Sequence, residues 1–293
     1  LSERLLVVGG TGMLGHRMVQ ESSGSIETWW TARGDGGPAR DLLGTDRLVT
    51  DVDVRNSADI ARALEQARPT AVVNCAGTVK QRTEVSTAEM IATNALFPHL
   101  LADACDAVGA RLVHVSTDCV FVGTGGEDRP FGYGIEHTPD ATDLYGRSKL
   151  LGEVDVAPHL TVRTSMVGLE LGGRSGLLSW FLHAPPDVSG YPNATFSGLS
   201  TPVLARELLR LTFRPDIVGL HHLTGPAIDK LTLLEMFRDA FRPEVRVGRD
   251  ERVHVDRRLD GRTLDELLAR TPPTWATMIE ELAQLHHHEE HTA

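Results

Sequence analysis

Cysteine is scarce in this chain: Cys75, Cys105 and Cys119 are the only three among 293 residues. With no C-x-x-C spacing, they exclude a disulfide framework and a paired-cysteine zinc site. Long apolar runs are missing too. The longest stretch without Asp, Glu, Lys or Arg, residues 188–205, is broken by Pro192 and Pro202, so no membrane span is expected. The apolar start at residues 5–8 runs into glycines, His16 and Arg17 with no cleavage pattern, and a cytoplasmic location is expected. Basic residues are in the minority, 29 against 40 acidic, for a net charge of −11. That balance argues against a nucleic-acid partner, because phosphate-backbone affinity rests on clustered positive charge. No repeat with a period of 20–50 residues is visible.

What is present is alternation. Short β-rich runs, most of them apolar, at 5–8, 26–31, 48–51, 71–74, 112–116 and 161–164 are separated by helical patterns at 13–21, 57–66, 87–96, 99–108 and 144–154. Strands too apolar to alternate are those covered on both faces, as in parallel βαβ units. Asn56 or Ser57 can cap the helix at 57, and Ser86 with Glu89 has capping-box spacing. Residues 123–143, rich in Gly, Pro and Asp, predict a long loop. Beyond it lie helical patterns near 177–183 and 204–211, a strand near 219–223, and capping-box starts at Thr232 with Glu235 and Thr263 with Glu266. A last helix at 275–285 precedes a tail, 286–293, whose histidines read as a disordered end and not as a metal site. The expected architecture is α/β: a Rossmann-type doubly wound parallel sheet over residues 1–164. A smaller C-terminal substrate-binding lobe is drawn mainly from 165–293, with part of 195–224 returning to the sheet.

Three constellations carry chemistry. The first runs Gly9-Gly10-Thr11-Gly12-Met13-Leu14-Gly15, between a strand and a helix. Glycines there let the backbone approach a pyrophosphate, which sits on the helix N-terminus. The next strand ends Trp30-Thr31-Ala32-Arg33 with no carboxylate before Asp35. An acid would favour NAD, whereas Arg33 accommodates a 2′-phosphate, so NADPH is expected, with NADH as the alternative. The second constellation, Tyr145 and Lys149, lies at i and i+4 on one helix face. A nearby ammonium stabilises a phenolate and brings the phenol toward acid–base chemistry at neutral pH. The third, Ser116-Thr117-Asp118, puts hydroxyls at the C-terminal end of the fifth strand, where open α/β sheets bind ligands.

Together with Asn74-Cys75-Ala76-Gly77, Arg163-Thr164-Ser165 and the continuation of Tyr145–Lys149 through Gly152 and Glu153, these segments resemble the extended short-chain dehydrogenase/reductases. The likeness is strongest to their dTDP-4-dehydrorhamnose reductase-like branch. It implies reduction of a 4-keto sugar on a nucleoside diphosphate, with Thr117, Tyr145 and Lys149 as the catalytic set. By the same resemblance the dinucleotide would meet Gly9, Thr11, Gly12, Met13, Leu14, Gly15, Arg33, Asp53, Val54, Cys75, Ala76, Gly77, Asn94, Tyr145 and Lys149. Asp53 would take the adenine amino group, and Asn94 would act as a proton-relay or structural helper. Lys80, Thr117, Asp118, Cys119 and Arg174 would face the substrate, with Arg82, Arg257 and Arg258 as further cations for its pyrophosphate. A homodimer is the family-level expectation.

Two departures leave the sugar open: Cys119, where the branch usually carries Tyr, and the unusual segment 78–82. Related dehydratases carry an Asp-Glu pair after the Thr, and here Asp118 is followed by Cys119. Epimerases tend to carry an acid at the end of the second strand, also absent. The alternative from another class is a non-catalytic dinucleotide-binding subunit, like the regulatory subunit of methionine adenosyltransferase.

Overall fold

The computed structural model describes residues 3–80, 84–124 and 129–292. The chain divides into two compact units. The first comprises Leu1–Thr117, Thr142–Val162 and Leu204–Leu220; the second comprises Asp118–Ala141, Arg163–Val203 and His221–Ala293.

The first unit is built on strands β1 (Arg4–Val8), β2 (Glu27–Thr31), β3 (Leu48–Val49), β4 (Ala71–Asn74), β5 (Arg111–Thr117) and β6 (Leu160–Thr164). Strands β7 to β10 are Met166–Val167, Asp187–Gly190, Ala194–Phe196 and Leu199–Ser200, and β11 is Gly219–His222. A seven-stranded parallel sheet runs in the order β11-β6-β5-β4-β1-β2-β3. Strand order reverses between β1 and β4, whose pairing runs from Leu5–Ala71 to Val8–Asn74. That crevice is where doubly wound sheets bind ligands.

The helices of this unit follow from local chemistry. Helix α1 (Gly15–Ser22) starts directly after the glycine run. Helix α2 (Gly37–Leu43) is not among the helical patterns read from the sequence. Its proline stands in the first turn, where a missing N–H costs nothing. Asn56 caps α3 (Ser57–Ala67) by accepting from the Ala58 N–H, and Ser86 caps α4 (Thr87–Ile91) by accepting from that of Glu89. The helix expected at 87–96 is α only to Ile91; Ala92–Leu96 is a π-helical turn that leads into α5 (Phe97–Val108). Asp143 caps α6 (Leu144–Leu151) through the Gly146 N–H. The core between sheet and helices gathers Leu6, Val8, Ile60, Leu64, Val72, Phe97, Leu101 and Leu112.

The second unit holds short sheets, with β12 (Ile228–Asp229) and β14 (Val255–Arg257) flanking β9, and β13 (Arg246–Arg249) on β8. Its helices are α7 (Leu177–Leu182), α9 (Lys230–Phe241), α10 (Arg262–Leu267) and α11 (Trp275–Thr292), while α8 (Thr201–Thr212) opens at its edge. Two expected caps are corrected. Asp229, not Thr232, caps α9: its carboxylate accepts from both the Thr232 N–H and hydroxyl, leaving Thr232 inside the first turn. Helix α10 starts after Gly261 with no side-chain cap, so Thr263 plays no such part. The tail is corrected as well. Helix α11 continues through His286–His288 to Thr292, since neither Gly nor Pro interrupts it. Among the described residues, no helix is long and apolar enough to cross a membrane, and no cluster of His, Cys, Asp or Glu is gathered for a metal ion.

Candidate active site

The glycine run is shaped by three different demands. Gly9 has φ +87° and donates its N–H to Thr31 Oγ1 at 3.1 Å; a Cβ there would meet Ala76 N at 2.9 Å. This close approach joins the ends of β1 and β4. A Cβ on Gly10 would enter the buried Trp30 ring at 2.6 Å, and one on Gly15 would collide with the Gly9 carbonyl. Gly12 differs. A Cβ there would meet only the Gly9 carbonyl oxygen, at 3.4 Å, so internal packing does not require glycine. Thr11 and Gly12 are exposed, Met13 is half-buried and Leu14 is buried. Helix α1 has no side-chain cap; within its first turn the His16 N–H donates to the Gly12 carbonyl at 3.1 Å. His16, buried, donates Nδ1–H to the Gly12 carbonyl at 2.8 Å, and burial holds its pKa down at about 4. The neutral ring thus fixes the loop without adding charge.

Beyond β2, Arg33 is exposed and lies 3.8 Å from Glu89. Asp53 is clamped by Arg55, with Nη2–Oδ2 at 2.6 Å, and its hydrogen bonds from Arg55 lower its pKa to about 2. Val54 packs against the core. Cys75 and Ala76 are half-buried and Gly77 is exposed. Burial pushes the Cys75 thiol up to about 12, so it stays protonated.

Asn94 sits in the π-helical turn, almost fully buried, and its amide clasps the backbone of Thr78. Oδ1 accepts from the Thr78 N–H and Nδ2 donates to the Thr78 carbonyl, both at 2.8 Å. Nδ2 also reaches Ser148 Oγ at 3.2 Å, and Ser148 donates to the Tyr145 carbonyl at 2.9 Å. π-Turns concentrate at functional sites. Here the turn ties the segment after β4 to the helix that carries Tyr145.

Tyr145 and Lys149 lie one turn apart on α6, Tyr145 half-buried and Lys149 buried. Lys149 Nζ donates to the Val115 carbonyl at 2.7 Å and lies 3.4 Å from His114 Nε2. Burial lowers its pKa to about 8, against an upward pull from Glu153. Glu153 accepts from Ser116 Oγ at 2.7 Å. Thr117 ends β5, two residues beyond the carbonyl that holds Lys149. Thr117, Tyr145, Lys149, Asn94 and the glycine run thus all belong to the first unit. Lys80, exposed, pairs with the α6 cap Asp143 at 3.2 Å.

His114 was given no role in the sequence reading. A single polar residue in the buried run Leu112-Val113-His114-Val115 is the signal that could have found it, since a buried imidazole needs partners.

Residues 3–175 match the family model described as RmlD substrate binding domain. The chain belongs to the RmlD family. Its curated relatives include a dTDP-4-dehydrorhamnose reductase of Streptomyces griseus, 36% identical over 151 residues, 51% of this chain and 43% of that protein. A dTDP-4-dehydrorhamnose reductase of Escherichia coli K12 is 29% identical over 238 residues, 75% of this chain and 72% of that protein. The match with the first therefore spans less than half of the relative's length. Two solved structures share the fold. One is a dTDP-4-dehydrorhamnose reductase from Bacillus anthracis in complex with NADP, with TM-score 0.76 and 20% identity, covering 96% of this chain and 99% of that one. The other is the Bordetella bronchiseptica enzyme WbmG in complex with NAD and UDP, with TM-score 0.78 and 19% identity, covering 99% and 96%.

In this RmlD-family chain the remaining expected substrate residues fall in the second unit. Asp118 is buried and begins a single 3₁₀ turn, Asp118–Val120. Cys119 Sγ lies 3.6 Å from Arg257 Nη1, whose Nε donates to the Phe121 carbonyl at 2.9 Å. Arg258 is bound to Asp256 at 2.8 Å, and Arg174 lies exposed before α7. Arg82 lies outside the described residues.

Proposed function

We propose that the chain is an NADPH-dependent 4-ketoreductase acting on a deoxysugar carried by a nucleoside diphosphate. The observation that carries the reading is Lys149. A buried lysine nitrogen anchored on the Val115 carbonyl, one helical turn from Tyr145, stabilises a phenolate and makes that phenol a usable proton donor. Tyr145 would protonate the carbonyl oxygen of the sugar. Thr117, at the end of β5, would hydrogen-bond the same oxygen as negative charge develops on it. Lys149 would also hold the ribose hydroxyls of the cofactor.

The glycine run fits a dinucleotide: Gly12 is free of internal packing demands and stands before the uncapped start of α1. Arg33, with no carboxylate at the end of β2, favours a 2′-phosphate. When bound, the reduced nicotinamide supplies the hydride equivalent that the carbonyl carbon accepts. Asn94 holds the segment after β4 in place beside that site. Among the cations, Arg257 is the candidate for the substrate's pyrophosphate: it donates to the Phe121 carbonyl and lies against Cys119 Sγ, not against a carboxylate.

The test is to incubate the protein with NADPH and a panel of dTDP- and UDP-linked 4-keto-6-deoxy sugars, following cofactor oxidation and product structure. Substrate-dependent oxidation yielding a C4 alcohol is expected. Tyr145→Phe should remove most turnover while NADPH binding stays nearly intact; undiminished turnover in that variant would sink the assignment.

A further inference from the structure

The surroundings of Lys149 contain a second device, formed by Asn74 and His114, both buried in the first unit. Asn74 Oδ1 accepts the Ala76 backbone N–H at 3.0 Å. An amide nitrogen has no lone pair to offer a donor, so this bond fixes which way the Asn74 amide points. Its Nδ2 then faces His114 Nδ1 at 3.1 Å. Because Nδ2 only donates, His114 Nδ1 must carry the lone pair. Burial, joined by the charge of Lys149 and by His99, holds the His114 pKa well below its ordinary range, so the ring is neutral. Its one hydrogen is therefore on Nε2, the atom 3.4 Å from Lys149 Nζ. An N–H dipole thus turns its positive end toward an ammonium.

We propose that Asn74 and His114 are positioning residues that lock the Nε2–H tautomer against Lys149 and so favour release of its proton. The inference rests on the reductase reading for its catalytic meaning, since it concerns the charge on which the Tyr145 phenol depends. Other groups act on the same nitrogen. The Val115 carbonyl of β5 and Glu153 of α6 favour the cation; Cys75 after β4 stays protonated and adds no charge, and Tyr145 lies one turn earlier on α6. From α5, His99 bears on His114 and keeps it neutral, while the π-turn contributes the uncharged Asn94. Against these stand burial and the His114 N–H. The outcome is a lysine that releases its proton at about 8, still cationic at neutral pH but close to its limit.

The chain has only three lysines, Lys80, Lys149 and Lys230, so each Cε can be followed in the intact lysine-labelled protein by NMR without any ligand. In the wild type, long-range ¹⁵N–¹H spectra should show His114, identified by its loss in His114→Phe, as the Nε2–H tautomer. Lys149 should titrate below the ordinary lysine value of ~10.4, and His114→Phe should raise its midpoint by about one pH unit. The upper-pH limb of turnover should move by the same amount. An Nδ1–H tautomer overturns the inference without needing any variant to fold. So does an unmoved Lys149 midpoint in folded His114→Phe. Failure to reduce any sugar would count against the proposed reaction and leave both spectroscopic readouts standing.

Discussion

Arg111 and Arg252 carry the same side chain into opposite circumstances. Arg111, in the first unit, is buried, and every bond it makes is to a carbonyl distant in sequence. Nε donates to Pro158 at 3.0 Å, Nη1 to Leu211 at 2.6 Å and Thr212 at 3.1 Å, and Nη2 to Ile217. Arg252, in the second unit, is exposed and reaches Asp250, two residues away, at 2.7 Å. The second unit repeats this local pairing at Arg238–Asp239, Arg249–Glu251, Arg258–Asp256 and Arg262–Asp260. The first unit has it too, at Arg214–Asp216. Around β5, however, its cations are bound by neutral groups: Lys149 on Val115 follows the Arg111 pattern. A cation held by carbonyls across the chain fixes distant segments relative to one another. A cation clipped to a near neighbour shapes one turn and remains available to water.

The largest effect should follow from Arg111→Met, which takes a donor from four carbonyls, three of them in buried contacts. The unfolding free energy should fall by about 3 kcal/mol or more in urea titrations. A drop as small as that of a surface variant would dissolve the contrast. Next comes a pair inside the glycine run. Gly15→Ala should cost roughly 1–3 kcal/mol, because the Gly9 carbonyl must give way. Gly12→Ala should leave the unfolding midpoint unchanged while weakening NADPH binding about tenfold by calorimetry, since only the ligand demands that glycine.

A smaller effect, with the opposite sign, is expected at Lys149. Its folded-state pKa of about 8 lies below the ~10.4 of a lysine in an unfolded chain, so the unfolded chain holds the proton more tightly. The ionised lysine therefore costs stability at every pH below about 8, and the cost fades as pH rises toward about 10.4. Lys149→Met should accordingly raise stability by ~1 kcal/mol at pH 7, with the gain shrinking across that window, while abolishing turnover. Turnover in the wild type should decline as pH climbs through about 8. Last, Arg252→Ala should leave thermal unfolding unchanged within error, because an exposed pair contributes little.

The sheet was legible because strands covered on both faces tend to be apolar runs, as residues 5–8 and 71–74 are. Ser86 was legible as a cap from its spacing to Glu89, whereas Asn56 and Ser57 were rivals at the preceding helix and Asn56 takes the role. Thr232 failed because Asp229, three residues earlier, offers a stronger acceptor to the same turn. The π-turn at Ala92–Leu96 was invisible, since one extra residue per turn over five residues leaves no mark in hydrophobic period. At the site, Tyr145 and Lys149 announced themselves by helical spacing. Their surroundings did not: His114 reaches Lys149 across 35 residues of sequence, and Asn74 reaches His114 across 40. Contacts made by tertiary structure leave only an indirect trace, such as a polar residue where a strand should be apolar.

The division of the chain bears on how it is made. The first unit is not complete at Thr117; it takes back Thr142–Val162 and then Leu204–Leu220. Strand β5 gains its neighbour β6, and β6 its neighbour β11, only once those residues exist. At ~5–20 residues per second of synthesis, the 42 residues between β5 and β6 amount to roughly 2–8 s at the ribosome. During that interval β5, buried along its whole length in the finished fold, is an open sheet edge. Arg111, at the head of that strand, waits longer still for the carbonyls of Leu211, Thr212 and Ile217. The nascent chain is thus most prone to wrong pairing midway through its own translation, and a chaperone that shields strand edges would act there.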